Sequence, residues 1–574
     1  MLKFALGAMG ALLVSTAVQA ADMTIYTAQK IITMETNIPE ATAVAVEDGR
    51  IVSVGSLDSL SDYIENHGAV VDERFADKVL MPGFIDPHIH PSLPAVLTQF
   101  PFLAPDDWHL PTGDFPGAKT HEDYVARLKE LVAAHDASDH DASVPFIAWG
   151  YHQLWHGEVK RPLLNELFPD TPVMIWHRSF HEVIGNDAAL DLLGITEADA
   201  QVNPEEASWE DGHFWENGAK VLVAKMPFLF APDRYGKGME NFYEMLHQAG
   251  VTSALDMGTG IFGDPEGEIA LIRATADHIQ PPTRLVLTPI ITDFLARKKT
   301  PEEALAEIEG WRAGNTELVA IKDHFKIMMD GAIFSGLSQY SFPGYKDGHE
   351  GIWMAPLSET EKWARFFWNQ GFQIHAHTNG DKSAEALIGI VQRAQAETPR
   401  FDHRTTLEHF AFAHEEQLRQ MGALGMAVSA NPYYQYILAD IYAQNWLGED
   451  IARYMVPLGA ATRQKVTVAL HSDNPMAPLS PLVLADAAVN RTTINGMQNA
   501  QVEALTVHEA MRAITIDAAW VMKREHDLGS IRAGKRADFV VLEANPYEVP
   551  TTDIKDVKIW GTVYEGTVHP VVAE

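Results

Sequence analysis

Leu80-Met81-Pro82-Gly83-Phe84-Ile85-Asp86-Pro87-His88-Ile89-His90 is an apolar run that ends in His-Ile-His. In an extended chain, side chains two apart share a face, so His88 and His90 point together while Ile89 points away. Neutral imidazoles are good ligands for zinc and its first-row neighbours, and one strand end thus offers a ready pair. In a chain with 25 histidines the pair decides little alone. Its meaning depends on what ends the later apolar segments.

Seven more such segments follow: Val251–Asp256, Arg284–Pro289, Phe325–Met329, Phe372–His377, Arg404–His409, Met426–Ser429 and Lys465–His471. With Val79–His90 they make eight strand candidates. Helical stretches lie between them. Thr300-Pro301-Glu302-Glu303 combines a capping box with Pro at the first helical position. Ser358-Glu359-Thr360-Glu361 opens a helix that stops at Gly371, and Thr506-Val507-His508-Glu509 opens another. Alternating strands and helices predict parallel strands with crossover helices. Eight of them predict an α/β fold of the (β/α)8 TIM-like barrel kind, with its chemistry at the strands' C-terminal ends. We expect this barrel in residues 79–90 and 245–529. Residues 91–244 are too many for one crossover and read as an insertion subdomain over the barrel mouth, with strands at Val144–Tyr151 and Val173–Phe180.

Both ends of the chain are β-rich. Met23–Thr27, Lys30–Met34, Thr42–Glu47 and Arg50–Gly55 are short strands, the last two joined by the hairpin dipeptide Asp48-Gly49. Ala537–Leu542 and Val557–Val563 mirror them, so residues 21–78 and 530–574 are expected to build one small composite β-sandwich. Residues 1–20 read as a signal peptide: Lys3, an apolar Phe4–Val18, and a cleavage site at Val18-Gln19-Ala20. The expected location is periplasmic or secreted, with no membrane contact after cleavage. Cysteine is absent, so any metal must be held by nitrogen and oxygen. A formal net charge of −35 repels nucleic acid and anionic lipid. The partner expected is a small-molecule substrate, and association into a homo-oligomer is left open.

The strand ends carry the chemistry. The first ends in His88 and His90, and the fourth carries Lys326 in Lys326-Ile327-Met328-Met329-Asp330-Gly331. The fifth ends in His375-Ala376-His377, followed by Asn379-Gly380-Asp381, and the sixth in Leu407-Glu408-His409. The eighth ends in His471-Ser472-Asp473-Asn474-Pro475. In a barrel these ends converge, so four His, a Lys and an Asp surround one point.

Together with the Gly529–Asp538 run, these motifs resemble the amidohydrolase superfamily of metal-dependent hydrolases. Within it they resemble the Amidohydro_3 group, with its N-substituted formamide deformylase-like and AepA-like proteins. The resemblance implies one or two divalent metal ions, zinc favoured. It makes His88 and His90 the strand-one ligands, His377 and His409 those of strands five and six, and Asp473 both ligand and general base. His375 shares strand five, but the spacing from His377 to Asp381 fits the group better. Lys326 falls where many relatives carry a carbamylated lysine between two metals. His181, in His181-Glu182-Val183-Ile184-Gly185-Asn186, resembles a histidine of the insertion that reaches substrate.

The expected activity is that of an exported metal-dependent amidohydrolase cleaving an amide, formamide or cyclic amide C–N bond. Metal-activated hydroxide attacks, Asp473 moves the proton, and His181 stabilises the developing oxyanion. A deaminase or esterase/lactonase on the same site is the alternative within enzymes. A non-catalytic regulatory or binding protein is the alternative outside them, AepA-like proteins having been named as regulators. Trp149 and Trp176, with Tyr151, Trp155 and His177, are candidates to line an apolar or aromatic substrate pocket.

Overall fold

A computed structural model describes residues 23–571; the expected signal at 1–20 lies outside the described residues. The centre is built on eight parallel strands. They are β1 (Phe84–Ile89), β2 (Val251–Thr259), β3 (Arg284–Pro289), β4 (His324–Met328), β5 (Gln373–Thr378), β6 (Thr406–His409), β7 (Ala427–Ala430) and β8 (Thr467–Leu470). They pair in chain order as two arcs. One runs from β1 to β3 and on to the short Val319–Ile321 segment, and the other runs from β4 to β8. Lys322-Asp323 separates Val319–Ile321 from β4, so the first piece pairs with β3 and the second with β5. Single contacts join the arcs: an Ile290–Lys326 bridge on one side, and on the other the Asp473 N–H donating to the His88 carbonyl at 3.0 Å. The arrangement is α/β and consistent with a TIM-like barrel, although the hydrogen-bond ladder does not run unbroken around all eight strands. β1, β2 and β5 are buried along their whole length, as parallel strands covered on both faces should be.

The expected first strand, Val79–His90, is two strands. Val70–Pro82 belongs to the terminal sheet, where Val79–Pro82 pairs antiparallel with Phe539–Leu542. β1 begins at Phe84 and pairs with β2. Gly83 makes the switch. A Cβ there would lie 2.1 Å from the Thr252 hydroxyl, so only glycine lets the chain pass this close to β2.

The termini form a seven-stranded hydrogen-bonded sheet, and Met23–Thr27 and Lys30–Met34 merge into one strand, Thr24–Ile32. A register shift between Thr27 and Ile31 absorbs the irregular spacing. Alternation still works along this sheet. Tyr26, Val44 and Phe539 pack on one apolar cluster, while Ile25, Ala43 and Ala45 pack on another. The insertion has its own five-stranded sheet, containing Phe146–Tyr151 and Val173–His177 close to where the sequence puts them. Thr300 and Thr506 both form the expected capping boxes. Ser358 does not: that helix starts at Leu357 behind Pro356 and has no side-chain cap. Among the described residues, no helix is long and apolar enough to cross a membrane.

Candidate metal centre

β1 delivers His88 and His90, β6 delivers His409, and the turn after β8 delivers Asp473. The Asp473 carboxylate lies among all three imidazoles. Its Oδ1 is 3.1 Å from His90 Nε2 and 3.5 Å from His88 Nε2, and its Oδ2 is 3.4 Å from His409 Nδ1. The Tyr434 hydroxyl donates to the same Oδ2 at 3.4 Å. His409 (φ 74°) and Asp473 (φ 52°) both hold left-handed backbone, a conformation that costs a β-carbon residue on the order of 1–3 kcal/mol. Flanking hydrogen bonds keep them there: Asp473 N–H to the His88 carbonyl, and Asn431 N–H to the His409 carbonyl at 3.1 Å.

Buried carboxylates orient the rings from behind. Glu408 Oε2 accepts from His88 Nδ1 at 2.7 Å, and its Oε1 accepts from His375 Nδ1 at 2.7 Å. His375 then meets His324 at 3.0 Å, so it faces the barrel interior and is not part of the cavity wall. Burial pushes the Glu408 carboxyl up to about 8 and the Asp86 carboxyl up to about 7. Asp86 accepts from the Ser472 hydroxyl at 2.5 Å, which ties β1 to the turn carrying Asp473. Burial disfavours a charged His90, yet Asp256 and Asp473 beside it raise its pKa to about 9.

Four buried nitrogens at this end have no hydrogen-bond partner among the described residues: His88 Nε2, His90 Nδ1, His471 Nε2 and Lys326 Nζ. Leaving a polar atom unpaired in the interior costs about 1–3 kcal/mol. His90 Nδ1 faces Asp256 at 3.8 Å while its Nε2 faces Asp473, so it is the nitrogens of His88, His471 and Lys326 that ask for a partner. One donor atom each from His88, His409 and His471 lie within 4.8 Å of one another, and the same holds for His88, His90 and Asp473. Imidazole nitrogens with a carboxylate are a donor set for zinc and similar divalent ions. The residues fit a metal. Burial pushes the Lys326 ammonium down to about 8, even with Glu408 and Asp473 nearby.

His88, His90, His409 and Asp473 open into a cavity of about 550 Å³, which His181, Trp176, His377 and Lys326 also line. The His377 ring is 4.3 Å from that of His409, but its Nε2 faces the Asn379 amide at 3.0 Å and stays outside both converging sets. His181 Nδ1 is held by Glu216 at 2.9 Å; burial opposes its protonation, and the Glu216 carboxylate more than offsets this, raising its pKa. Trp176, Phe180, Phe262 and Phe230 form a chain of touching rings along the wall, with centroid separations of 4.6, 5.9 and 4.8 Å. Trp149 is a correction. It is fully buried in the core of the insertion, against Phe102, Trp108 and the Arg178 guanidinium, and does not reach the cavity. Tyr151, Trp155 and His177 are not part of the lining either. Tyr434 was missed, although Asn431-Pro432-Tyr433-Tyr434 directly follows β7, at the end of the strand where barrel chemistry sits.

A second cleft, of about 660 Å³, lies between the insertion and the C-terminal segment and contains none of these ligands. It plays no part in this site.

Known proteins bear on this arrangement. Over 546 residues the chain is 25% identical to N-substituted formamide deformylase of Arthrobacter pascens, covering 92% of this chain and 95% of that one. It is 22% identical over 543 residues to the protein LONG AFTER FAR-RED 3 of Arabidopsis thaliana, covering 91% and 88%. An uncharacterized metal-dependent hydrolase of Pyrococcus horikoshii shares the fold, with a TM-score of 0.70 at 19% identity over 96% of this chain and 100% of that one. The Amidohydro_3 pattern of the amidohydrolase family matches residues 76–569, nearly the whole described chain. The chain belongs to the amidohydrolase family, whose chemistry is metal-dependent hydrolysis of carbon–nitrogen bonds.

Proposed function

We propose that this protein hydrolyses an amide, formamide or cyclic amide whose substituent is apolar, at a centre of one or two divalent ions held by His88, His90, His409 and Asp473, zinc favoured. The observation that carries the reading is the Asp473 carboxylate set among three imidazoles, beside buried nitrogens that lack any partner. A bound divalent ion supplies Lewis-acid activation of water and polarises the scissile carbonyl.

The chain does the rest. Asp473 accepts the proton of the attacking water as the C–O bond forms, then returns it to the leaving nitrogen as the tetrahedral adduct collapses, so the C–N bond breaks and the amine leaves neutral. Tyr434 keeps the carboxylate in place through Oδ2. His181, anchored through Nδ1 on Glu216, leaves Nε2 to donate to the carbonyl oxygen as charge develops. The aromatic wall holds the apolar substituent and excludes water from the reacting bond. Lys326, buried and unpaired, is read as a carbamate: its neutral amine adds CO2, forming an N–C bond and releasing a proton, and gains anionic oxygens for the metal. We also infer that the protein is exported and acts outside the cytoplasm, on the Phe4–Ala20 pattern.

Metal analysis of the purified protein, paired with turnover on formamides, N-acyl amines, cyclic amides, esters and lactones, tests the reading. Chelator-sensitive release of amine is expected. Protein that holds no metal and turns over none of these compounds would refute it. Lys326→Ala assayed with and without a short carboxylic acid tests the carbamate, because a small acid can fill the vacated place. One metal equivalent and equal turnover in both proteins would remove the bridge.

A further inference from the structure

His471 lies just past β8, two residues before Asp473, and is completely buried. Its Nδ1 is 2.7 Å from the Ser429 hydroxyl on β7. Glu408 Oε2 lies 3.7 Å from the same nitrogen, so Nδ1 faces two oxygens and is the nitrogen placed to carry the hydrogen. A neutral imidazole protonated at Nδ1 keeps its lone pair at Nε2. This Nε2 is the atom left without a partner.

His88 is arranged in the same way. Glu408 takes the hydrogen of its Nδ1 at 2.7 Å, and its Nε2 is also left unpartnered. Glu408 Oε2 thus stands beside the Nδ1 of both rings, 2.7 Å from that of His88 and 3.7 Å from that of His471. The two rings lie 4.4 Å apart at 32°, and the His409 ring is 4.6 Å from His88 and 5.3 Å from His471. One nitrogen from each of the three falls within 4.8 Å of the others. Two lone pairs directed into a shared buried space without a donor would be a standing penalty in a purely structural cluster. Three imidazoles on one ion are a common zinc arrangement.

We propose that His471 Nε2 is a metal ligand, giving the centre a three-imidazole face made of His88, His409 and His471, with Ser429 as the residue that positions it. The proposal rests on the reading that the strand ends hold a divalent ion.

The test uses the full-length protein and three readouts that do not involve turnover: zinc equivalents by elemental analysis, zinc affinity by chelator competition, and the visible absorption of the cobalt(II) form. Losing an outer partner of a ligand weakens metal binding about 10–100-fold. His471→Ala is expected to weaken zinc by at least about 100-fold and to change the cobalt bands, with added imidazole restoring both. Ser429→Ala is expected to weaken zinc by about tenfold. If His471→Ala fails to fold, as judged by circular dichroism of the metal-free protein, His471→Gln is scored by the same criteria. Unchanged affinity and an unchanged cobalt spectrum, with His409→Ala losing metal alongside, would make His471 a packing residue and overturn the proposal alone. Wild-type protein that binds no zinc would overturn the metal-centre reading and this proposal together.

Discussion

The insertion and the strand ends each bury a group of histidines, and the two groups differ in what their nitrogens touch. In the insertion, His156 Nδ1 accepts from the His152 N–H at 3.1 Å and its Nε2 donates to the Ala118 carbonyl at 2.8 Å. His177 pairs with the Ser179 hydroxyl at 2.8 Å and with Gln153 at 2.7 Å, and His213 donates to Glu182 at 2.8 Å. Only His152 keeps one idle nitrogen, among the rings of Tyr442 and Trp446. At the strand ends, His88, His90 and His471 each keep one, and His88 and His471 each bring a nitrogen within 4.8 Å of the other and of His409. A local wealth of histidine is therefore not what marks a metal site. What marks it is nitrogen that the protein has oriented and then left unsatisfied.

Substitution in both groups is the sharpest way to break this contrast. His409→Ala should lose bound metal and lower kcat/KM by about 10³-fold or more, the kinetic equivalent of several kcal/mol of metal assistance. His177→Asn should keep the wild-type metal content and lose only stability. Elemental analysis of both proteins decides, and metal loss from His177→Asn would end the distinction. Asp473→Asn comes next: most of the metal should stay while kcat falls about 10²–10⁴-fold, the range for loss of a general base. Equal loss of metal and turnover would make Asp473 a ligand only.

The two tryptophans sharpen the same contrast at a smaller scale. Trp149→Ala should cost about 3–5 kcal/mol in urea unfolding and leave KM alone. Trp176→Ala should also raise KM for an apolar amide by about 10-fold, a wall contact being worth 1–3 kcal/mol. The smallest effect concerns Glu182, which links insertion to barrel through His213 and Ser335. Burial favours its neutral form, but His177, His213 and the Ser335 hydroxyl hold its carboxyl well below the usual range. A carboxyl depressed in the folded state adds stability above its unfolded pKa of about 4.3, and this is lost as pH falls below that value. Glu182→Gln should thus lower Tm at pH 7, with the gap to wild type narrowing between pH 5 and pH 3. A constant gap would show that its partners are not acting on its charge.

Much of this architecture is legible in the chain because parallel strands announce themselves twice, as short apolar runs and as regular spacing between capped helices. All eight strands lie within a few residues of their expected positions. The break at Gly83 was not legible, since Val79 to His90 is continuously apolar and only the Thr252 side chain beside Gly83 reveals why a glycine stands there. The fold brings the ends of β1 and β6 and the turn after β8 together, so His88, His90, His409 and Asp473 meet, while His377 turns its Nε2 to Asn379. The place of Trp149 was not legible: on a short strand of the insertion, facing a cavity and facing a core look alike in sequence. His471 was visible in its motif, but its orientation depends on Ser429 and Glu408, on two other strands, and no reading of β8 alone contains them.

The terminal sheet places Val70–Pro82 between the first described strand, Thr24–Ile32, and Phe539–Leu542. Nothing local can fill the second position, so during synthesis this edge waits, open and hydrogen-bond hungry, until almost the whole polypeptide has been made. The molecule closes like a clasp, and the barrel is threaded between its two halves. Chains cut short before Phe539 would carry a bare strand directly attached to β1 and its histidines, a species prone to pair with its own kind rather than to remain as a smaller enzyme.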